Sequence, residues 1–406
     1  MAEQFRKAGS IFNKFLKLTL GNYMRYLFGY KIFNAQIKGL KPPYIVIANH
    51  TNFWDPFLLS MCIPYPVHFV TSDAYFRNPV VKFLLRYVGA IPKTKSVSDP
   101  RSIKYILSVV KSNGVIGIFA EGRRNWDGTT LPLLYPTAKL IASLKIPVVS
   151  VLFEGACLSM PRWAKHTRRG ELTMTCRLVY KGADEIKALS ANEVFDGITQ
   201  SLAHDEYTWQ QAKMVPYKGR KPAETLELFL FLCPECKSPE HMKSGEDIFC
   251  CTNCGYTVRY NKYGFFEPVP DKLYFDNPRD WNLWQLGFLE EEIIRTKEVS
   301  PEADLILEDG SVAAYRGGKS SPLEFLQTGS LRLYSGRLVF TGREGGNYSF
   351  EIPEIYGENI QFNNQIEFYH GKALYRFGGD KRQLSAYKWV RALEIIKAGN
   401  NNQSIG

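Results

Sequence analysis

The stretch "YIVIANHTNFWDPFLLS", residues 44–60, runs from five apolar residues straight into Asn49, His50 and, five positions after the histidine, Asp55. An uninterrupted apolar run of this kind reads as a strand buried on both faces, inside a parallel or mixed sheet. Asp55-Pro56 reads as a helix start, with Asp as N-cap and Pro at the first helical position. A regular helix would hold His50 and Asp55 about 140° apart, since each residue turns by about 100°. The two side chains can therefore meet only across a turn between strand and helix. Two readings stand on these residues alone. In one, Asp55 caps the helix and Asn49-His50 is a turn. In the other, Asp55 accepts from one imidazole nitrogen of His50, sets its tautomer, and leaves the second nitrogen to take a proton.

Outward from this stretch, short apolar runs alternate with helical ones. "VHFVTS" (67–72), "GAIPK" (89–93), "VIGIFAEG" (115–122) and "IPVVSVLF" (146–153) read as strands, with helices "NPVVKFLLRYV" (78–88) and "RSIKYILSVVKS" (101–112) between them. This alternation predicts a mixed or parallel α/β sheet over residues 36–215, with reactive groups just beyond the strand ends. No serine or cysteine sits in a G-x-S-x-G pattern, so a histidine base without a protein nucleophile points to a substrate hydroxyl as the attacking group. "FAEGRRN" (119–125) and "GAIPKTK" (89–95) offer Glu121, Gly122, Arg123, Arg124, Lys93 and Lys95. A glycine turn beside guanidinium groups suits a phosphate; a solvated basic face is the alternative.

Taken in order, "NHTNFWD", "GAIPKTK", "FAEGRRN" and "IPVVSV" resemble the four motif blocks of the PlsC-type glycerolipid acyltransferases, over roughly residues 1–210. The resemblance implies that His50 is the general base on an acceptor hydroxyl and that Asp55 orients it. It further implies that Asn49, Lys93, Lys95, Glu121, Gly122, Arg123 and Arg124 serve substrate binding. The expected reaction moves an acyl group from acyl-CoA or acyl carrier protein to a lysophospholipid, 1-acylglycerol-3-phosphate first. Departures from the family pattern bear on the acceptor: Asn52 stands for Ser, Lys95 for Arg, Ala120 for Pro, Arg123 for Thr and Ser150 for Pro. Lys in place of Arg keeps the charge and loses the two-pronged fork. Another lysolipid or a polyprenyl or glycolipid hydroxyl stays open as acceptor, and the rival reading is a non-catalytic lipid- or nucleic-acid-binding adaptor with a zinc ribbon.

The chain has 406 residues and a net charge of +11, from 51 Lys and Arg against 40 Asp and Glu. Eight basic residues and one acid fall within residues 1–50. Such an end suits an anionic surface. Residues 5–28 place aromatic and aliphatic side chains at helical spacing with Lys7, Lys14, Lys17 and Arg25 between them. Residues 1–35 are therefore expected to form basic amphipathic helices, which could lie in a lipid interface or pack on their own domain. No stretch reaches the roughly 18 to 20 apolar residues of a spanning helix, and no signal peptide is evident. The expectation is a cytoplasmic protein, peripheral or monotopic on the inner face of the cell membrane.

Five of the eight cysteines lie between positions 233 and 254. "CPEC" and "CTNCG" make C-x2-C, fourteen residues, C-x2-C, the spacing of a tetrahedral zinc site from Cys233, Cys236, Cys251 and Cys254. Cys250 is spare, since neighbours on a strand point to opposite faces, and His241 is not needed once four sulfurs close the site. Residues 228–268 thus resemble a zinc ribbon, with a structural ion. "KSPEHMKSGEDIF" (237–249) is close to neutral and lacks a basic aromatic stripe, so nucleic acid is not the expected partner. "VPYKGRKPAET" (215–225) reads as a linker and residues 275–298 as a connecting amphipathic helix. From Leu323 onward apolar and polar residues alternate between Gly and Asn turns, and "SAYKWVRALEIIKAG" (385–399) closes with a helix. Residues 300–400 resemble a pleckstrin-homology-like or GRAM-like β barrel.

Overall fold

A computed structural model describes residues 9–93, 99–299, 305–318, 321–380 and 384–403. The chain divides into two compact units. One runs to Pro222 and includes Asn261–Gly264; the other holds Ala223–Tyr260 and the residues from Phe265 onward.

The first unit begins with helix α1 (Ser10–Phe28), which stops where Gly29 turns left-handed at φ 62° and donates to Arg25 O. Strand β1 (Tyr30–Phe33) follows, so the stretch expected to be helical through residue 35 ends in the sheet. The other strands are β2 (Tyr44–Ala48), β3 (Val67–Ser72), β4 (Ile91–Lys93), β5 (Val115–Phe119), β6 (Val148–Glu154) and β7 (Leu172–Tyr180). They lie in the order β1-β7-β6-β2-β5-β3-β4. Every neighbouring pair is parallel except β6 with β7, so the sheet is mixed.

β2 is central, and its five residues are all buried because both faces are covered. Tyr44, Val46 and Ala48 point into a core shared with Met24 and Phe28 of α1 and with Leu58 and Leu59 of α2 (Asp55–Cys62). Ile45 and Ile47 point the other way, and α3 (Pro79–Tyr87) and α4 (Pro100–Lys111) follow the next two strands. The second core is built from Val109 of α4, Ile141 of α5 (Tyr135–Leu144) and Ile198 of a later helix. Sequence punctuation sets the helix starts. Asn78 accepts from Val80 and Val81 N–H, Asp99 accepts from Arg101 and Ser102, and a proline follows each cap. The short turn α6 (Ala156–Ser159) leaves β6, and α7 (Ala183–Ile186), α8 (Ala191–Leu202) and α9 (Glu206–Lys213) follow β7.

The stretch expected to be a linker is packed instead. Tyr217 is buried, donates its hydroxyl to Glu171 O at 2.6 Å, and lies so close to Gly170 that a side chain there would meet its ring. Arg169 and Lys218 exchange both backbone hydrogen bonds at 2.8 Å.

In the second unit, β8 (Met242–Gly245), β9 (Ile248–Cys251), β10 (Thr257–Tyr260) and β11 (Phe266–Val269) form an antiparallel sheet. Trp281 of α10 (Pro278–Val299) is fully buried against Phe249 and Phe266, with ring centroids 5.4 and 5.5 Å away. Strand β12 (Leu305–Gly317) precedes the stretch read as β-rich. β13 (Glu324–Tyr334), β14 (Arg337–Gly342), β15 (Asn347–Glu351), β16 (Ile355–Gln361), β17 (Gln365–His370) and β18 (Ala373–Gly379) follow it. These seven strands are antiparallel, in the order β15-β14-β13-β12-β18-β17-β16. α11 (Ala386–Gln403) packs on them, and its buried Trp389 donates to Asp309 Oδ2 at 2.8 Å.

Candidate active site

The chain leaves the end of β2 into a turn, and that turn brings His50 and Asp55 together. His50 Nδ1 lies 2.8 Å from Asp55 Oδ2. The same oxygen accepts the N–H of Thr51 at 2.6 Å and of Asn52 at 2.9 Å. Helix α2 starts at Asp55 rather than after it, so its side chain does not cap the helix; it faces back into the turn. Asn52 braces the turn from inside, accepting from Trp54 N–H at 2.7 Å and donating to Ala156 O at 3.3 Å. Asp55 is fully buried, whereas the His50 side chain keeps 19% of its surface exposed. His50 Nε2 has no hydrogen-bond partner among the described residues.

The imidazole stacks on Phe119 at the end of β5, with centroids 4.1 Å apart and planes inclined by 22°. Burial pushes the His50 pKa below its ordinary 6.5; the bond and charge of Asp55 oppose this, while the guanidinium groups of Arg124 and Arg162 add to it. The neutral imidazole is therefore the form held at neutral pH, and its Nε2 is an unengaged proton acceptor among the described residues.

Glu121 follows β5 and is buried, with Oε1 accepting the His50 N–H at 2.5 Å and Oε2 accepting the Leu131 N–H at 2.9 Å. Burial raises its pKa to about 8, against the pull of those two N–H groups. It holds the His50 backbone rather than facing a substrate. Asn49 is likewise fully buried: its amide donates to Phe153 O at 2.9 Å and accepts from Phe153 N–H at 2.8 Å, locking β2 to β6. Both residues, expected at the substrate, are interior braces, because their polar atoms are taken up by backbone.

Gly122 takes φ +69°, donates to Phe119 O and turns the chain outward, leaving Arg123 exposed and Arg124 half-buried. Burial lowers the Arg124 pKa, and the proximity of Tyr75 and Asp55 opposes this. Arg162, from the loop after α6, escaped the sequence reading; its guanidinium lies 4.7 Å from the Trp126 ring and donates to Arg124 O at 2.7 Å. The only hint in the chain is a cation shortly beyond a strand end, which is too common to single out. Lys93 ends β4, half-buried and paired in register with Ser72. Lys95 lies outside the described residues. Ser150 is buried in β6 with its hydroxyl unpartnered among the described residues.

In the second unit the Sγ atoms of Cys233, Cys236, Cys251 and Cys254 all lie within 4.8 Å of one another. Cys233 and Cys254 are 3.6 Å apart, and Cys236 and Cys251 are 3.7 Å apart. Sulfurs at about 2.3 Å from a tetrahedral zinc ion are about 3.8 Å from one another, so the four fit that ion. Cys250 pairs with Thr257 on the opposite side of β9, and His241 Nδ1 is engaged by Ser238 Oγ.

Comparison with known proteins finds sequence similarity within the first unit. The Acyltransferase family model matches residues 31–154. The 1-acyl-sn-glycerol-3-phosphate acyltransferase of Bacillus subtilis (strain 168) is 24% identical over 128 residues, which are 31% of this chain and 63% of that protein. Among solved structures, the LPA acyltransferase PlsC from Thermotoga maritima superposes with a TM-score of 0.41 at 17% identity, covering 50% of this chain and 79% of the other. A chain of the 8S snRNP assembly intermediate superposes with a TM-score of 0.21 at 15% identity, covering 24% of this chain and 85% of the other. Neither score is high enough to assign a fold. The family-model match spans the strands and turns that carry His50, Asp55 and Glu121, and the matched stretch of the curated relative is less than two thirds of that protein's length.

Proposed function

We propose that this protein transfers a fatty acyl group from a thioester, acyl-CoA or acyl carrier protein, to the hydroxyl of a lysophospholipid, with 1-acylglycerol-3-phosphate as the first candidate acceptor. The observation that carries the reading is the neutral, stacked His50, bonded through Nδ1 to Asp55 with Nε2 left without a hydrogen-bond partner among the described residues. His50 Nε2 takes the acceptor's hydroxyl proton as its oxygen attacks the thioester carbonyl. The C–O bond forms, the tetrahedral intermediate expels the thiolate as the C–S bond breaks, and the imidazolium returns its proton to the sulfur. Asp55 stabilises the imidazolium during this step. Arg124 and Arg162, both close enough to depress the His50 pKa, suit the acceptor's phosphate, and Arg123, Lys93 and Lys95 would add to that field. Another lysolipid or a glycolipid hydroxyl would fit the same base.

A zinc ion held by Cys233, Cys236, Cys251 and Cys254 would tie the strands of the small sheet together and take no part in transfer. The seven antiparallel strands and α11 support a pleckstrin-homology-like reading of the last hundred residues. We place the protein on the cytoplasmic face of the membrane. Mass spectrometry of products from a lysolipid panel, offered with acyl-CoA and with acyl carrier protein, tests the reaction. A His50→Ala protein that transfers as well as the wild type would refute the assigned base.

A further inference from the structure

α3 has no buried residue, yet six of its nine residues are Val, Phe, Leu or Tyr. Val80, Phe83 and Leu84 are 67%, 65% and 54% exposed, and Tyr87 stacks on Phe83 to extend the same stripe. Positions 80, 83, 84 and 87 share one side of a helix, and here that side faces solvent. Val81, Leu85 and Val88 make the half-buried inner side, so the helix is already anchored without its outer stripe. An unpartnered apolar stripe of this size costs free energy in water and marks a contact surface.

Charge identifies the occupant. Residues 74–98 contain five Lys and Arg and no acid. Lys82 and Arg86 sit within α3 itself, and Arg77 ends the turn before it. Apolar stripe and flanking cations together match the boundary layer of a bilayer with anionic headgroups, where rings enter the acyl region and cations stay at the phosphates. The preceding turn also carries Tyr75, which is 38% exposed and within electrostatic reach of Arg124, so the surface adjoins the candidate active site.

We propose that α3 docks on an anionic lipid surface, as a contact separate from α1; this rests on the reading of the protein as a membrane-bound acyltransferase. Two weak contacts bind a bilayer far more tightly than one. The test is flotation of the full-length protein with phosphatidylcholine vesicles, with and without phosphatidylglycerol. Phe83→Asp/Leu84→Asp replaces two exposed side chains and is expected to leave the fold intact by circular dichroism. It is expected to lower vesicle binding by at least about tenfold. Lys82→Ala is expected to weaken binding only to the vesicles that contain phosphatidylglycerol. Leu18→Asp on α1 is expected to lower binding independently, and the α3 effect is expected again in that background. Unchanged flotation of the Phe83/Leu84 variant overturns the proposal, as does a loss of self-association in solution with vesicle binding kept. His50→Ala separates the two readings: it is expected to float like the wild type, so transfer and docking can fail independently.

Discussion

Glu121 accepts the backbone N–H of His50 at 2.5 Å, so the end of β5 holds the end of β2 at the residue proposed to be the base. The same carboxyl takes the Leu131 N–H with its other oxygen, and His50 O accepts from Asn125 N–H at 2.9 Å. The histidine is thus fixed through its backbone from one neighbouring strand and through its ring by Asp55 and Phe119.

His50→Ala is expected to lower kcat by about 10²- to 10⁴-fold, the usual contribution of a general base. Asp55→Asn should fall in the same range with little change in KM, because it disturbs the tautomer and not the acceptor's binding. Steady-state kinetics on purified protein checks both, and a wild-type rate for either variant would remove the dyad from the mechanism.

The pH profile should carry the mark of the two guanidinium groups. The neutral imidazole is the working form and its pKa lies below 6.5, so activity should persist through pH 6.5 and fall only below it. Removing a positive neighbour makes the imidazolium easier to form and raises that pKa. Arg124→Gln and Arg162→Gln should therefore shift the acid limb of kcat/KM to higher pH. A limb that stays put would place both residues away from the imidazole.

Stability should respond to Glu121 in the opposite sense. Its folded pKa, about 8, lies above the ordinary carboxyl value of 4.5, so across that window the folded state holds a proton that the unfolded chain releases. Its contribution is full below 4.5 and is lost as pH rises through 8, at up to about 1.4 kcal/mol per pH unit. Urea unfolding from pH 5 upward should show this decline in the wild type and lack it in Glu121→Gln. Parallel pH dependences in the two proteins would contradict the assignment.

Asn49→Ala leaves both Phe153 backbone groups without their buried partner. A loss of about 2 to 6 kcal/mol is expected, from two unsatisfied groups at about 1–3 kcal/mol each. Asn49→Asp should also destabilise, because a carboxylate cannot donate to Phe153 O. Denaturant midpoints measure both.

Zinc should be found at one ion per chain by elemental analysis. Cys236→Ser or Cys254→Ser should lower its content and expose residues 228–268 to protease first, since binding energy at such sites is folding energy. Full protease resistance of that segment after chelation would argue against a structural ion.

Much of the architecture is local in origin and could be read along the chain. Five apolar residues in a row place β2 inside a sheet, Asn78-Pro79 and Asp99-Pro100 start helices, and the paired C-x2-C turns bring two sulfurs together each. These features rest on side-chain period, backbone dihedral preference and caps, all of which act over a few residues. The His50 to Asp55 spacing also belongs here, since five positions cannot bring the two side chains together on a regular helix and require a turn.

The jobs of Asn49, Glu121, Arg162 and Tyr217 were set by residues 38 to 104 positions away: Phe153 for Asn49, His50 for Glu121, Arg124's carbonyl for Arg162, and Glu171 for Tyr217. β1 joined the sheet beside β7, whose Leu172 pairs with Tyr30. A buried polar group must find a partner, but which backbone meets it depends on the strand order, and no local pattern carries that information. The chain alone settled which residues end the strands; the packing of β2 between β5 and β6 decided which of those residues stand at the candidate site and which hold the strands together.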